Sequence, residues 1–148
     1  MGKVVILMGS KSDMDIMKKA ENFLNEHAIE TELHVASAHR TPEKVHKIIK
    51  EAENTTDVFI AGAGMAAHLG GVIASLTIKP VITVPIKSSL DGLDALLSCV
   101  QMPPGIPVAT VAINGAKNAA ILAMEMMAIS DNEIKDKLLN FRNSFKTA

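Results

Sequence analysis

The chain has 148 residues, 48% of them hydrophobic, which suits one ordinary domain with a proper core and excludes disorder. Its 15 Lys and Arg stand against 16 Asp and Glu spread along the sequence. That balance lacks the electrostatic footprint of a nucleic-acid or anionic-membrane binder and leaves a small molecule as the expected partner.

Met1-Gly2-Lys3 runs directly into Val4 to Met8, a continuous apolar run closed by Gly9-Ser10 that reads as a first strand. Asp13 to His27 reads as a helix with Ile16, Ala20, Phe23 and Leu24 on one stripe. A second strand, Glu32 to Ala36, alternates through Glu32 and His34, as an edge strand does. Thr41-Pro42-Glu43-Lys44 then offers a cap, a proline at the first helical position and an acid in the first turn. Val45, Ile48, Ile49 and Ala52 continue that helix. Asp57 to Ala61 is a third strand, followed by a helix over Ala66 to Leu76. Pro80 to Ile86 and Pro107 to Ile113 are the fourth and fifth strands, separated by a helix over Asp91 to Met102. Ala116 to Ile129 forms the next helix, and Asp131 to Phe145 a sixth, with Ile134, Leu138 and Phe141 aligned. This last helix has no strand left to cover, so it packs either on a neighbouring subunit or on its own domain.

Four of the five strands are apolar nearly throughout, as required when helices cover both faces of a parallel sheet. Strict strand–helix alternation forces right-handed crossovers, hence a doubly wound three-layer αβα sandwich with a five-stranded parallel sheet in the order 2-1-3-4-5. No repeat, linker or low-complexity tract divides the chain, so residues 1–148 read as one catalytic domain. No apolar run reaches the roughly 18 residues of a membrane span. The lone Cys99 excludes an internal disulfide and a cysteine-rich metal site, and it fits a reducing cytoplasm as the expected location.

In a sheet of this order the binding crevice opens at the C-terminal strand ends, where the connections after strands 1 and 3 diverge. Three loops meet there: Gly9-Ser10-Lys11-Ser12-Asp13, Ser37-Ala38-His39-Arg40-Thr41 and Gly62-Ala63-Gly64-Met65-Ala66-Ala67-His68. Glycines and helix N-termini present backbone N–H groups to an anion, and Arg40 can clamp a phosphate in bidentate fashion. Ser12 and Asp13 have N-capping as their alternative reading. Asp13 is a poor partner for phosphate but a good acceptor for ribose hydroxyls, so one loop can hold both ends of a ribose phosphate.

His39 is the candidate acid–base residue, because histidine exchanges a proton near neutral pH. His68 is the second candidate, with capping of the third helix as its alternative. The chain has no G-x-x-x-x-G-K-[ST] and no H-E-x-x-H, so neither P-loop nor zinc-protease chemistry is expected. Gly62-Ala63-Gly64 with Ala67 fits G-x-G-x-x-A, yet it follows the third strand and lacks the matching acid. The expected chemistry therefore uses no metal, thiol or redox cofactor.

The loops also carry a resemblance. Gly9-Ser10-Lys11-Ser12-Asp13, Ser37-Ala38-His39-Arg40-Thr41-Pro42, Ala61-Gly62-Ala63-Gly64 with Ala66-Ala67-His68-Leu69, and Val100-Gln101-Met102-Pro103 through Gly105-Ile106-Pro107-Val108 together resemble the N5-carboxyaminoimidazole ribonucleotide mutase family of purine synthesis. The resemblance covers essentially the whole chain. It implies a reaction that moves the carboxylate from the exocyclic nitrogen of a ribonucleotide monophosphate to ring carbon 4, through confined carbon dioxide. It also implies a flavodoxin-like fold and a homo-octamer; no cofactor is expected, and a functional partner that supplies the unstable carbamate is left open. Carried over residue by residue, Ser10 and Asp13 bind the nucleotide, Ser37 and Arg40 lie at the phosphate, and His39 is the acid–base residue; Ser12, on the same loop as Ser10 and Asp13, is a further candidate for substrate binding. The loop from Gly62 to Leu69, with Gly64, Ala66, His68 and Leu69, surrounds the imidazole and the migrating carboxyl.

This chain departs from that family's pattern in places. Met65 and Gly70 stand where it has Gly and Pro, Lys87 stands where it has Gln, and Ile113-Asn114-Gly115-Ala116-Lys117-Asn118 is shortened. A related branch adds free carbon dioxide to aminoimidazole ribonucleotide; Arg40 and the Ala66-Ala67-His68-Leu69 run favour the mutase. Receiver and flavin-binding modules share the strand order. A receiver needs an acid at the end of strand 3, where this chain has Ala61 and Gly62, and the crevice loops lack the aromatic rings that usually stack on a flavin.

Overall fold

The computed structural model describes residues 2–148. Five parallel strands, β1 (Lys3–Met8), β2 (Glu30–Val35), β3 (Val58–Gly64), β4 (Val81–Ile86) and β5 (Ala109–Thr110), lie in the order β2-β1-β3-β4-β5. Six helices accompany them: α1 (Met14–Glu26), α2 (Pro42–Ala52), α3 (Leu69–Leu76), α4 (Leu93–Val100), α5 (Ala116–Met127) and α6 (Asn132–Ser144). This is the flavodoxin-like sandwich anticipated above. Among the described residues no helix is long and apolar enough to cross a membrane.

Side chains alternate across a strand, and that period divides the core in two. Val4, Ile6, Met8, Val58, Ile60, Ile82 and Val84 face α1 and α5, whereas Val5, Leu7, Phe59, Ala61 and Val81 face α2 and α3. The register Val4↔Val58, Ile6↔Ile60, Met8↔Gly62 sets these residues level. On α1 the buried stripe is Met17, Ala20, Phe23 and Leu24, with Ile16 only half-buried. Met17 displaces Ile16 because its thioether fills the space over Gly62, where a Cβ would meet the sulfur at 2.3 Å.

β2 is an edge strand, as its alternation indicated, and Lys3 of β1 pairs there with Glu30 at 3.2 Å and Glu32 at 2.5 Å. The fifth strand is shorter than Pro107 to Ile113. It pairs on one side only, and the chain leaves the sheet through Asn114 at φ +60°, whose N–H donates to the Pro85 carbonyl at 2.8 Å. Two helices also begin later than their apolar patterns imply. Met65 at φ +53° turns the chain before α3. Before α4, the consecutive residues Leu90, Asp91 and Gly92 are left-handed at φ +47°, +55° and +84°. Lys87 bridges this turn, with its ammonium 3.4 Å from Asp91 and its backbone N–H on Asn114 Oδ1 at 2.9 Å.

The last helix packs on its own domain. Asp131 caps it by accepting from the N–H groups of Glu133 and Ile134, and Ile134 and Leu138 are buried in the α1–α5 layer. Phe141 meets Phe23 edge-on at 5.0 Å, with the Lys117 ammonium 5.3 Å from the Phe23 ring centre.

Gly70, where the resembling family has Pro, is matched to β4. A Cβ at this position would lie 2.0 Å from Thr83 Cγ2. Thr83 is buried, and its hydroxyl lies 2.8 Å from Thr110 Oγ1 and 3.2 Å from the Ala109 carbonyl. Alanine in a helix normally gains roughly 1 kcal/mol over glycine, but overpacking against a tethered neighbour costs about 1–3 kcal/mol. Gly70→Ala is therefore expected to lower the urea midpoint. Adding Thr83→Ser, which removes Cγ2 and keeps the hydroxyl, restores it. Undiminished stability in Gly70→Ala alone would show that the neighbours yield.

Candidate active site

The strands deliver their loops to one end of the sheet, and the loops hold each other. Gly9 N–H donates to the Gly62 carbonyl at 3.1 Å and Ala36 N–H to that of Met8 at 2.9 Å, which ties the exits of β1, β2 and β3 together. Between them opens a cleft of about 450 Å³. Ser10, Ser12, Asp13, Ser37, His39, Arg40, Gly64, Ala66, His68 and Leu69 all line it. Met65 and Ser88 complete two of its edges.

One side of the cleft is hydroxyl-rich and cationic. Ser10 Oγ accepts from the Ser12 N–H at 3.3 Å and from the Ser12 hydroxyl at 3.0 Å, so the cap of this turn is Ser10. Asp13 stands at the start of α1 but makes no side-chain cap bond. The capping explanation of Ser12 and Asp13 thus gives way to a different arrangement, in which Asp13 is a nearly buried carboxylate, 8% exposed, at the cleft wall. In the second loop Ser37 Oγ accepts from Arg40 N–H at 3.1 Å, while Ser37 N–H donates to Thr41 Oγ1 at 2.9 Å. These bonds stiffen the loop beneath two exposed side chains, His39 and Arg40. Among the described residues the Arg40 guanidinium makes no ion pair.

The other side is apolar, built by the small residues Ala63, Gly64 and Ala66 with the longer Met65 beside them. Gly64 lets the end of β3 lie against the loop after β4: a Cβ there would sit 3.2 Å from the Ile86 carbonyl oxygen and 3.4 Å from Ser88 Cβ. Where the two sides meet, His39 Nε2 lies 2.9 Å from His68 Nδ1, with the rings edge to face at 77°. His68 makes no side-chain cap bond to α3, so its capping alternative is not what the fold uses. A ring-to-ring bond of this kind consumes one nitrogen of each imidazole. It leaves His39 Nδ1 and His68 Nε2 as the outer atoms, and the tautomer of one ring dictates that of the other.

The sequence pattern of the AIR carboxylase family matches residues 3–148. The chain belongs to the AIR carboxylase family. An N5-carboxyaminoimidazole ribonucleotide mutase of Methanocaldococcus jannaschii is 59% identical over 143 residues, covering 97% of this chain and 90% of that one. One of Pyrococcus abyssi is 57% identical over 148 residues, covering 99% and 85%. The crystal structure of Treponema denticola PurE superposes with a TM-score of 0.92 at 34% identity, over 99% of this chain and 93% of the other. Every cleft residue of this AIR carboxylase family member lies within those matched stretches.

Electrostatics distinguish Asp13 from an ordinary surface acid. Burial raises its pKa, and the backbone hydrogen bond at Ser10 and the charge of Arg40 pull it only partly back. With the folded-state pKa above the unfolded one, the ionised carboxylate destabilises the ligand-free fold at neutral pH. That cost begins to fall as pH drops through the raised value and is gone below the unfolded one. Donors from a ligand would offset it, which is how a sugar-binding carboxylate gains from its partner.

Two features escaped the reading of the sequence. The contact between His39 and His68 joins residues from different loops and leaves no periodic trace. Ser88 carried a weaker signal, since Lys87-Ser88-Ser89 is a hydroxyl-bearing stretch directly after β4, at the same sheet end as the other three loops.

Proposed function

We propose that this protein is an N5-carboxyaminoimidazole ribonucleotide mutase, which makes 4-carboxy-5-aminoimidazole ribonucleotide in purine synthesis. The observation that carries this reading is the histidine pair at 2.9 Å, set between a phosphate-competent side and a small apolar side of one cleft. Ser37 and Arg40 hold the phosphate, Ser10, Ser12 and Asp13 the ribose side of the nucleotide, and Gly64, Ala66 and Leu69 surround the imidazole. The relatives that bear the mutase name support the same assignment.

The chemistry follows from the substrate's own reactivity. The bond from nitrogen to the carboxyl carbon breaks, its electron pair stays on nitrogen, and protonated His39 gives a proton to that nitrogen as carbon dioxide departs. The remaining aminoimidazole is an enamine. Its carbon 4 attacks the carbon dioxide, and the proton on carbon 4 returns to His39, so protons and electrons balance without a cofactor. His68 accepts the Nε2–H of protonated His39, which orients the ring and stabilises its charge, as the third member of a catalytic triad does for its histidine. Confinement replaces a bimolecular encounter and supplies the largest gain available here. We extend the proposal to a homo-octamer working in the cytoplasm, beside an enzyme that delivers the carbamate.

The test offers purified protein freshly made carbamate, or aminoimidazole ribonucleotide plus bicarbonate, and follows the ultraviolet absorbance of the product. Turnover of the carbamate without added bicarbonate is expected. Turnover only with bicarbonate would assign the protein to direct carboxylation instead, and binding of nucleotide with neither reaction would make it a non-enzymatic module.

A further inference from the structure

Met65 is the cleft residue whose presence is hardest to explain by folding. Its backbone sits at φ +53°, a region that costs a residue with a Cβ about 1–2 kcal/mol and costs glycine almost nothing. Its side chain is 60% exposed although it lines the cleft, so it stands at the mouth. The neighbouring apolar wall is made of Ala63, Gly64 and Ala66, and Leu69 behind them is only 2% exposed. Among the described residues that line the cleft, Met65 is therefore the one large apolar side chain that is exposed. A long thioether chain is flexible and adapts its shape to what lies under it.

We propose that Met65 is a positioning residue that closes the carboxyl-transfer side of the cleft and holds carbon dioxide over the aminoimidazole between bond breaking and bond making. The inference rests on the mutase reading above. Carbon dioxide is small and uncharged, so no ion pair or strong hydrogen bond can detain it. What keeps it beside carbon 4 is the lack of an open path to water, and in this chain the long Met65 side chain narrows that path at the mouth, where the family's pattern has only a glycine. The backbone strain at position 65 is the local cost of placing a long apolar side chain where the turn requires left-handed geometry.

The experiment runs the carbamate reaction in 13C-bicarbonate buffer containing carbonic anhydrase, and measures both label in the carboxylated product and the yield of free aminoimidazole ribonucleotide. Wild-type protein is expected to give mostly unlabelled product. Met65→Gly relieves the strain and so melts no lower than wild type. It is expected to release aminoimidazole ribonucleotide and to incorporate label several-fold more per product formed. Met65→Leu, similar in volume, is expected to behave like wild type. Equal label and equal release in wild type and Met65→Gly would overturn the cap, as would loss of turnover in Met65→Gly without added release. Failure of the wild type to use the carbamate at all would instead overturn the mutase reading on which the cap stands.

Discussion

His39→Asn is expected to abolish measurable turnover, with a loss of about 10²–10⁴-fold in kcat, the usual worth of a positioned acid–base group. Asparagine keeps a polar side chain at the tip of the second loop but cannot take and return a proton. The loop itself does not depend on the ring, because its backbone is held by the Ser37–Arg40 and Ser37–Thr41 bonds. Product affinity, measured by calorimetry, is therefore expected to persist. His68→Asn, which leaves His39 without the partner at Nε2, is expected to cost less than His39→Asn. Normal activity in His39→Asn would remove this residue from the mechanism. A matching loss of product affinity would recast it as a binding residue.

Arg40→Ala is expected to act on the other half of the problem. Its guanidinium is exposed at the cleft, makes no ion pair among the described residues, and reaches only as far as a long-range attraction to Asp13. Hydrogen bonds to a charged group are worth about 1.5–3 kcal/mol, so the substitution is expected to weaken nucleotide affinity about ten- to a hundredfold. KM rises with it, while kcat at saturation changes far less. Arg40→Lys recovers only part of the affinity, since a point charge replaces a planar fork. An unchanged dissociation constant for the product in Arg40→Ala would contradict the phosphate assignment.

The sheet was legible because burial on both faces writes itself into composition: Val4 to Met8 and Val81 to Ile86 admit almost no polar residue, and no other element explains such runs. The order 2-1-3-4-5 then followed from alternation and crossover handedness. Helix starts were less legible. Apolar periodicity continues through Ala66 and Asp91, yet the backbone at Met65 and at Leu90 to Gly92 is left-handed, a choice made by tertiary packing rather than by local preference. The fifth strand was overestimated for a related reason, as a segment with one partner strand can be apolar without being paired along its length.

In the candidate site, residue types at strand ends were informative, since hydroxyls, glycines and bases gathered on three neighbouring loops have few structural uses in common. The histidine pair was not foreseeable. It depends on how two loops, 29 positions apart, lean towards each other. Capping stood as the alternative for Asp13 because its position relative to α1 fits a cap, while its burial can be seen only in three dimensions.

The two margins of the sheet have a bearing on how the protein survives crowded conditions. An open strand edge is a template onto which another chain can add, and proteins that last keep such templates short or charged. β5 offers two residues, Ala109 and Thr110, and β2 carries Glu30 and Glu32, which pair with Lys3 of β1. Neither margin invites β-augmentation, so the outline of the sheet itself works against fibrillar self-association.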